Sequence, residues 1–319
     1  MSKDTEDLWN VIMPDEGVKA ELDLGEPPQE YKDWALKELG ELPEVRVQKL
    51  DELRNMIYEK GDCDPHRTDD AFLLRFLRAR SFIVEKAYKL FVNYYNFKED
   101  NPEFFEDVHL EHLCRVHNII LVPPYREQTG RRILLYRMGN WDPSSVSIPE
   151  LFQATLVVLE LAILEQKAQI LGGIAMFDLG GMTLSQALHM SPSLASKMVQ
   201  VMVSHFPMKI KAIHIVNQSW IFDMIYNCFK PFLDERMKKR IFFHGDDMES
   251  LHQHIDPKHL PKKYGGVHED YDYMDWLRFF ATNNTIVKEL KSLGYIVDDV
   301  RRKLYMNEAQ EKGLNELKV

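Results

Sequence analysis

The chain changes its hydrophobic period once, near residue 105, and that switch constrains the fold more than any other feature. Upstream of it, four helical patterns follow one another with no strand between them. Tyr31, Trp34, Ala35 and Leu39 share one face after Pro27-Pro28. Val47, Leu50, Leu53, Met56 and Ile57 form a stripe between Pro43 and Lys60 that Gly61 ends. Thr68-Asp69-Asp70 offers an N-cap ahead of Phe72, Leu73, Phe76 and Leu77, and Ala87, Leu90, Phe91, Tyr94 and Tyr95 predict a helix over 84–99. Downstream, short apolar runs occur at 118–122, 132–137, 173–179, 212–217 and 241–244, with helical stretches between most of them. Gln128-Thr129-Gly130 reads as a hairpin connection between the first two runs. An all-helical unit therefore precedes an α/β unit in which helices cover a sheet. The expected organisation is a flexible acidic lead-in over 1–28, a helical domain over 29–105, an α/β domain over 106–270 and a partly helical C-terminal extension over 271–319.

Two predicted helices are unusually apolar. The stretch 148–169 reads as one long helix in which Leu151, Phe152, Leu156, Val157, Leu159 and Leu161 leave almost no polar side, and such a helix is ordinarily buried in a core. Trp220, Ile221, Phe222, Met224, Ile225, Tyr226 and Phe229 crowd a shorter one. Its aromatic and methionine content suits adaptable contacts, so it is a candidate to cover a ligand cavity or to dip into a bilayer surface. The extension holds Tyr271, Tyr273, Trp276, Leu277, Phe279 and Phe280 and a predicted helix near 286–293. It either folds back on the body or is offered to a partner.

Charge narrows the function. The net charge of −10 argues against general nucleic-acid binding, because a phosphate backbone rewards a basic surface. Between Lys209 and Arg240, however, seven basic residues stand against Asp223, Asp234 and Glu235, which suggests an anionic partner approached in one orientation. Every apolar stretch is broken before the ~18 residues a membrane span needs. The N-terminus lacks the basic flank and apolar run of a secretory signal. Three scattered cysteines, Cys63, Cys114 and Cys228, build neither a disulfide framework nor a zinc site, and the expectation is a reduced, cytoplasmic protein.

Catalytic motifs are missing. No nucleophile elbow, dinucleotide fingerprint or phosphate loop occurs, and Gly172-Gly173 and Gly180-Gly181 read as turns at the two ends of a strand. His252 and His254 with His259, near Asp246-Asp247, hold no recognised metal spacing. They read as a polar helix end, the aspartates as a cap, and His214 as a structural histidine in a strand. No enzyme activity, metal or cofactor is expected.

Several strings together resemble the CRAL-TRIO family. They are Phe72-Leu73-Leu74-Arg75-Phe76-Leu77-Arg78-Ala79-Arg80-Ser81-Phe82, then Phe206-Pro207-Met208-Lys209-Ile210-Lys211 running through Asn217, then Lys230-Pro231-Phe232-Leu233 continuing to His244-Gly245, and finally Leu260-Pro261 with Tyr264-Gly265-Gly266. Their order and spacing match over about residues 45–270, most nearly in the animal branch that contains retinaldehyde-binding and tocopherol-transfer proteins. The resemblance implies a helical N-terminal domain on an α/β/α lipid-binding domain, whose mixed sheet floors a pocket that a mobile gate helix, here about 220–229, closes. It implies a phosphoinositide-binding patch at Arg80, Lys209, Lys211, Arg236 and Arg240, and it leaves Arg75 and Arg78 as bridges between domains. Cavity positions carried over are Trp141, Thr155, Phe177, Trp220 and Phe222, with Ile225 beside them on the gate. Retinaldehyde-binding relatives have tyrosine at the position of Thr155 and glutamate at that of Phe177, so the polar groups that would address a retinoid head are absent here. The implied function is carriage of a small hydrophobic lipid (a retinoid, tocopherol, carotenoid or similar isoprenoid) between membranes, by a cytoplasmic protein that visits phosphoinositide-bearing surfaces. The alternatives are a phosphatidylinositol or phosphatidylcholine exchange protein and a lipid-sensing adaptor.

Overall fold

Prolines at helix starts and glycines past helix ends set the limits of the opening helices. In the computed structural model, which describes residues 19–316, α1 (Gln29–Trp34) runs into a π-helical turn, Ala35–Leu39, and stops at Gly40 with φ 71°. α2 (Pro43–Lys60) begins on its proline and ends at Gly61 with φ 64°, a left-handed conformation that costs glycine nothing. Asp69 caps α3 (Asp70–Ala79), its Oδ1 accepting the Phe72 N–H at 3.1 Å. α4 (Val84–Asp100) packs on α3 through edge-to-face rings, Phe76 against Phe91 at 5.0 Å and against Tyr94 at 5.7 Å.

Every residue of α3 from Phe72 to Ala79 is buried, which takes Arg75 and Arg78 inside. Arg78 donates from Nε and Nη2 to the Glu41 carboxylate, each at 2.8 Å, and from Nη1 to Gln166 and Gln169 of the α/β unit. Arg75 pairs with Glu289 of the C-terminal extension. Both arginines therefore tie the helical unit to the rest of the chain.

After the short helix α5 (Leu113–Val116), all five expected strands form: β1 (Ile120–Leu121), β2 (Ile133–Arg137), β3 (Gly173–Asp178), β4 (Ile210–Val216) and β5 (Ile241–Gly245). They lie in sequence order in one sheet, with β1 antiparallel to β2 and the other pairs parallel, so the sheet is mixed. The hairpin between β1 and β2 turns at Gly130, φ 80°. Crossover segments carry α6 (Ile148–Ala162) and α7 (Gln166–Leu171), α8 (Leu184–Leu188) and α9 (Pro192–Gln200), α10 (Ile221–Phe229) and α11 (Glu235–Lys238). α12 (Met248–His252) follows β5, with Asp247 Oδ1 accepting the Ser250 N–H at its start. Side chains alternate across the sheet. Ile133, Leu135, Ile174, Met176 and Val216 pack against Leu251 and Tyr264 on one face. On the other, Tyr136 meets α6, while Ala175, Ile213 and Ile215 lie beneath α9 and α10.

Two expectations change. The single helix over 148–169 is two, because Glu165 leaves the helical path with φ −72° and ψ 120°. Its buried carboxylate receives Arg126 at 2.8 Å, Arg132 at 2.6 Å and the Asp23 N–H at 2.8 Å. A charge taken out of water needs such partners, and helix continuation would deny them. The helix begun at α9 ends in a π-helical turn, Val201–His205. The lead-in expected to be flexible through residue 28 lies outside the described residues for 1–18, while 19–28 is held: Ala20 and Leu22 are buried and Asp23 pairs with Lys167 at 2.6 Å. The extension folds back on the body as α13 (Met274–Thr282), α14 (Asn284–Ser292) and α15 (Asp299–Glu316), burying Trp276, Leu277, Phe280, Ile286 and Leu290 in the main core.

Candidate functional site

Two features of different chemistry lie back to back. The first is an apolar layer between the sheet and α10. Ala175, Leu179, Val199, Ile213, Ile215, Leu233 and Met237 are its buried members, and Phe177, Phe222, Tyr226, Phe229 and several other methionines pack against them. Only Ile221 of α10 is fully buried. Trp220, just ahead of the helix, is 72% exposed, and Leu184, Leu188, Phe232 and Phe243 are also exposed. A helix whose other apolar residues are only half-buried has less packing to lose when it moves than a core helix, so local opening there costs less than in the core. Phe177 stacks on Tyr136 with ring centres 4.6 Å apart and planes 7° apart. The Tyr136 hydroxyl donates to Thr155 Oγ1 at 3.1 Å, and Thr155 donates to the Leu151 carbonyl at 3.0 Å. Burial pushes the Tyr136 phenol well above its ordinary value and keeps it neutral.

The structure brings Phe177 and Phe222 into this layer, sets Thr155 next to it through Tyr136, and leaves Ile225 half-buried on α10. Trp141 instead belongs to the main core, its indole N–H donating to the Val146 carbonyl at 2.8 Å, and Trp220 stands at the surface.

The second feature is a cleft of about 630 Å³ between the helical and α/β units. Arg80 reaches it from the end of α3, Lys209 and Lys211 from the start of β4, Arg236 from α11 and Arg240 from the approach to β5. All five basic positions carried over from the resemblance thus meet in one place. Lys86 and Lys89 of α4 line the same cleft, and sequence reading missed them; their spacing on the polar side of the helix was the available signal. Glu38 and Asp234 are the lining carboxylates, and Asp234 is occupied by Arg236 at 2.9 Å. Among the described residues, Arg80, Lys209, Lys211 and Arg240 form no ion pair with a carboxylate. Partial burial, then Lys211, Arg80 and Arg240, push the Lys209 ammonium down to about 7. Burial, Arg131 and Arg240 lower Lys211, and burial and Arg236 lower Arg80. Cations gathered this closely repel one another, and a polyanion bound among them would relieve that repulsion.

Other chemistry-bearing groups are committed elsewhere. His214 Nδ1 and His244 Nε2 share a hydrogen bond at 3.0 Å, His244 Nδ1 meets Ser250 Oγ at 2.9 Å, and burial beside these rings pushes His214 down to about 3. His252 Nε2 lies 2.9 Å from the Tyr264 carbonyl. Among the described residues no cluster of His, Cys, Asp or Glu can hold a metal ion, and no helix is long and apolar enough to cross a membrane.

Comparison with known proteins agrees with this anatomy. Residues 35–93 match the CRAL/TRIO N-terminal domain and residues 116–266 the CRAL/TRIO domain. The chain is 37% identical over 258 residues to the alpha-tocopherol transfer protein-like protein of Mus musculus, covering 80% of this chain and 75% of that one. It is 36% identical over 245 residues to clavesin-1 of Rattus norvegicus, covering 76% of this chain and 69% of the relative. The crystal structure of Sfh5 aligns with a TM-score of 0.43 and 16% identity over 73% of this chain and 91% of that one, a weak likeness, and the family rests on the sequence matches. Helical unit, mixed sheet and both sets of matching residues together place the chain in the CRAL/TRIO family of lipid-binding and transfer proteins.

Proposed function

We propose that this protein carries a small, neutral, hydrophobic lipid beneath α10 and delivers it to membranes that present phosphoinositides, with no chemistry performed on the cargo. The observation that carries the reading is a shared wall: Met202, Val203, Ile210 and Met237 line the cationic cleft and also pack in the apolar layer under α10. A headgroup held in the cleft is therefore one side chain away from the cargo layer. The side chains of that layer carry no charge, and the phenol of Tyr226 within it and the Tyr136–Thr155 hydroxyl pair beside it are neutral polar groups, which suits a cargo with at most one or two hydroxyls or carbonyls. Tocopherols, carotenoids, retinoids and related isoprenoids have that character. The tocopherol-transfer name of the first relative supports it.

The energetics call for a gate. Exposing a lipid to water costs about 0.8 kcal/mol per CH₂, so an enclosed layer removes a barrier of order ten kcal/mol for a long chain. Each basic residue near an anionic leaflet contributes ~1 kcal/mol, enough for the cleft cations to orient reversible docking by a chain whose net charge is −10. We place this work at the cytoplasmic face of membranes, which the protein visits and leaves. A phospholipid-exchange role would need a buried site for a charged headgroup within the layer, and the Tyr136–Thr155 pair is too small for one. An adaptor role finds little support in an extension whose aromatic residues are spent on the core.

Mass spectrometry of organic extract from the natively isolated protein tests the reading. One neutral isoprenoid per chain is the expected result. A phospholipid would replace the proposed cargo by the exchange reading, and an empty extract with no uptake from vesicles would remove the carrier altogether.

A further inference from the structure

The two edges of the sheet are finished differently. β1 is a two-residue strand whose members, Ile120 and Leu121, are both buried. β5 forms the other edge, and among the described residues no strand pairs with its outer side. Its run Ile241-Phe242-Phe243 carries none of the prolines or charges by which open edges are blunted. Phe243 is 44% exposed, and Ile241 and Phe242 are half-buried. An apolar edge of this kind is a template for one more strand.

The ladder on the inner side decides which backbone groups are free. The Ile213 N–H donates to the Arg240 carbonyl, and Ile213 stands in register with Ile241. Along a strand in a parallel pair, the backbone groups of successive residues point to opposite sides. Phe242 and His244 therefore turn theirs toward β4, while Ile241 and Phe243 turn theirs outward. Gly245 is spent elsewhere, its N–H donating to Gln218 Oε1 at 2.9 Å and its carbonyl accepting from Asn217.

The charges beside the strand are ordered as well. Lys238, Lys239 and Arg240 precede it and Asp246 and Asp247 follow it, so the chain reads basic, apolar, acidic over 238–247. Among the described residues, Lys239 and Asp246 form no ion pair. Turned end for end, this pattern is complementary to itself.

We infer that β5 is a self-association surface, pairing antiparallel with β5 of a second copy of this chain about a two-fold axis perpendicular to the sheet. Ile241 of each copy lies opposite Phe243 of the other, which satisfies the outward backbone groups of both residues. Phe242 meets its own equivalent at a non-hydrogen-bonded position, with Cα atoms about 4.5 Å apart and the rings in cross-strand contact. Lys238 and Lys239 of each copy come to the Asp246-Asp247 end of the other. A one-residue slip would set side chains of opposite faces against each other, and parallel pairing would bring like charges together. The axis leaves α10 of both copies on the same side of the joined sheet. The net charge of −10 opposes association and the contact is short, so the dimer is weak and forms with concentration.

Sedimentation of the full chain, without lipid, tests this at concentrations up to about 0.5 mM, where a Kd near ~100 µM is visible. A monomer–dimer equilibrium is expected. Hydrogen exchange should show the Ile241 and Phe243 amides gaining protection as concentration rises, while Phe242 and His244, bonded to β4, stay protected at every concentration. Lys239→Glu or Asp246→Lys alone should weaken dimerisation by about ten-fold, because symmetry repeats each like-charge contact. The combined variant should return to within about three-fold of the wild type. Neither residue lines the cationic cleft, and unchanged unfolding midpoints establish that the variants fold. A wild type that stays monomeric overturns the pairing and leaves the edge to a strand from another protein. A dimer whose Ile241 and Phe243 amides exchange as fast as in the monomer, or whose affinity neither single reversal weakens, overturns it as well.

Discussion

α6 and α10 look alike as strings and behave as opposites in the fold. Both are apolar on nearly every side. α6 buries nine of its residues between the sheet, the helical unit and the C-terminal extension, whereas α10 buries one. The difference comes from what surrounds each. α6 meets partners on all sides, including Phe104 at its Phe152 and Tyr94 at its Glu160. α10 packs its inner face on the sheet and on α8 and α9, leaves its outer face open, and leads into exposed Phe232 and the cationic approach to β5. Hydrophobicity alone therefore does not distinguish a core helix from a cover. The number of packed faces does.

The strongest way to break that comparison is at the end of α6. Glu165→Ala leaves the largely buried Arg126 and Arg132 without their carboxylate and should cost about 3–5 kcal/mol in urea unfolding. Burial works against the Glu165 carboxylate, but bonds from Arg132 and the charges of Arg132 and Arg126 hold it below the usual value. Its contribution is therefore present above the ordinary carboxylate range and lost as pH falls through the lowered value, and the variant should be less acid-sensitive than the wild type.

Next in size is the direct contrast. Leu156→Ala, at a fully buried position of α6, should lose about 2–5 kcal/mol. Ile225→Ala on α10 should lose about 1 kcal/mol or less while speeding release of bound lipid to acceptor vesicles. Equal losses at the two positions would show that α10 is packed like a core helix, and the cover reading would fall.

The cleft sharpens the comparison from the other side. Combined Lys209→Glu and Lys211→Glu should weaken binding to phosphoinositide vesicles by at least about 2 kcal/mol, roughly thirty-fold, with the unfolding midpoint nearly unchanged. Intact vesicle transfer in this variant would separate delivery from the cleft.

The smallest expected effect is a proton linkage. Lys209 is pushed down to about 7 by burial and its neighbouring cations, and an anion held beside it would raise it again. Phosphoinositide affinity should therefore fall as pH rises above about 7, with a one-proton slope of at most about ten-fold per pH unit. Calorimetry in buffers of different ionisation heat would register proton uptake on binding above that pH, and Lys209→Arg should abolish it.

Much of this was legible along the chain. Period and punctuation are local properties, so all five strands, the Asp69 and Asp247 caps and the helix after Trp220 could be read directly. Lys209, Lys211, Arg236 and Arg240 stood out as part of a basic stretch, but that Arg80 joins them was accessible only through the resemblance, because it lies far upstream of that stretch. Lys86 and Lys89 were missed because their place on the polar side of α4 marks them as exposed, and only the fold tells that the cleft faces them. The resemblance puts Trp141 in the cavity, yet it packs in the main core, where the Val146 carbonyl satisfies its indole.

What the sequence by itself determined is therefore the set of elements and the two chemistries, an apolar helix pair and a basic stretch on an acidic chain. The tertiary structure alone decided which apolar helix is core and which is cover, where the helix over 148–169 breaks, and which of three arginines in α3 and its cap is free to meet an anion. The physical reason is that burial and electrostatic pairing depend on partners distant in sequence. Arg78 is quenched by Glu41 and Gln169, Arg75 by Glu289, and Arg80 is left holding the Val203 carbonyl.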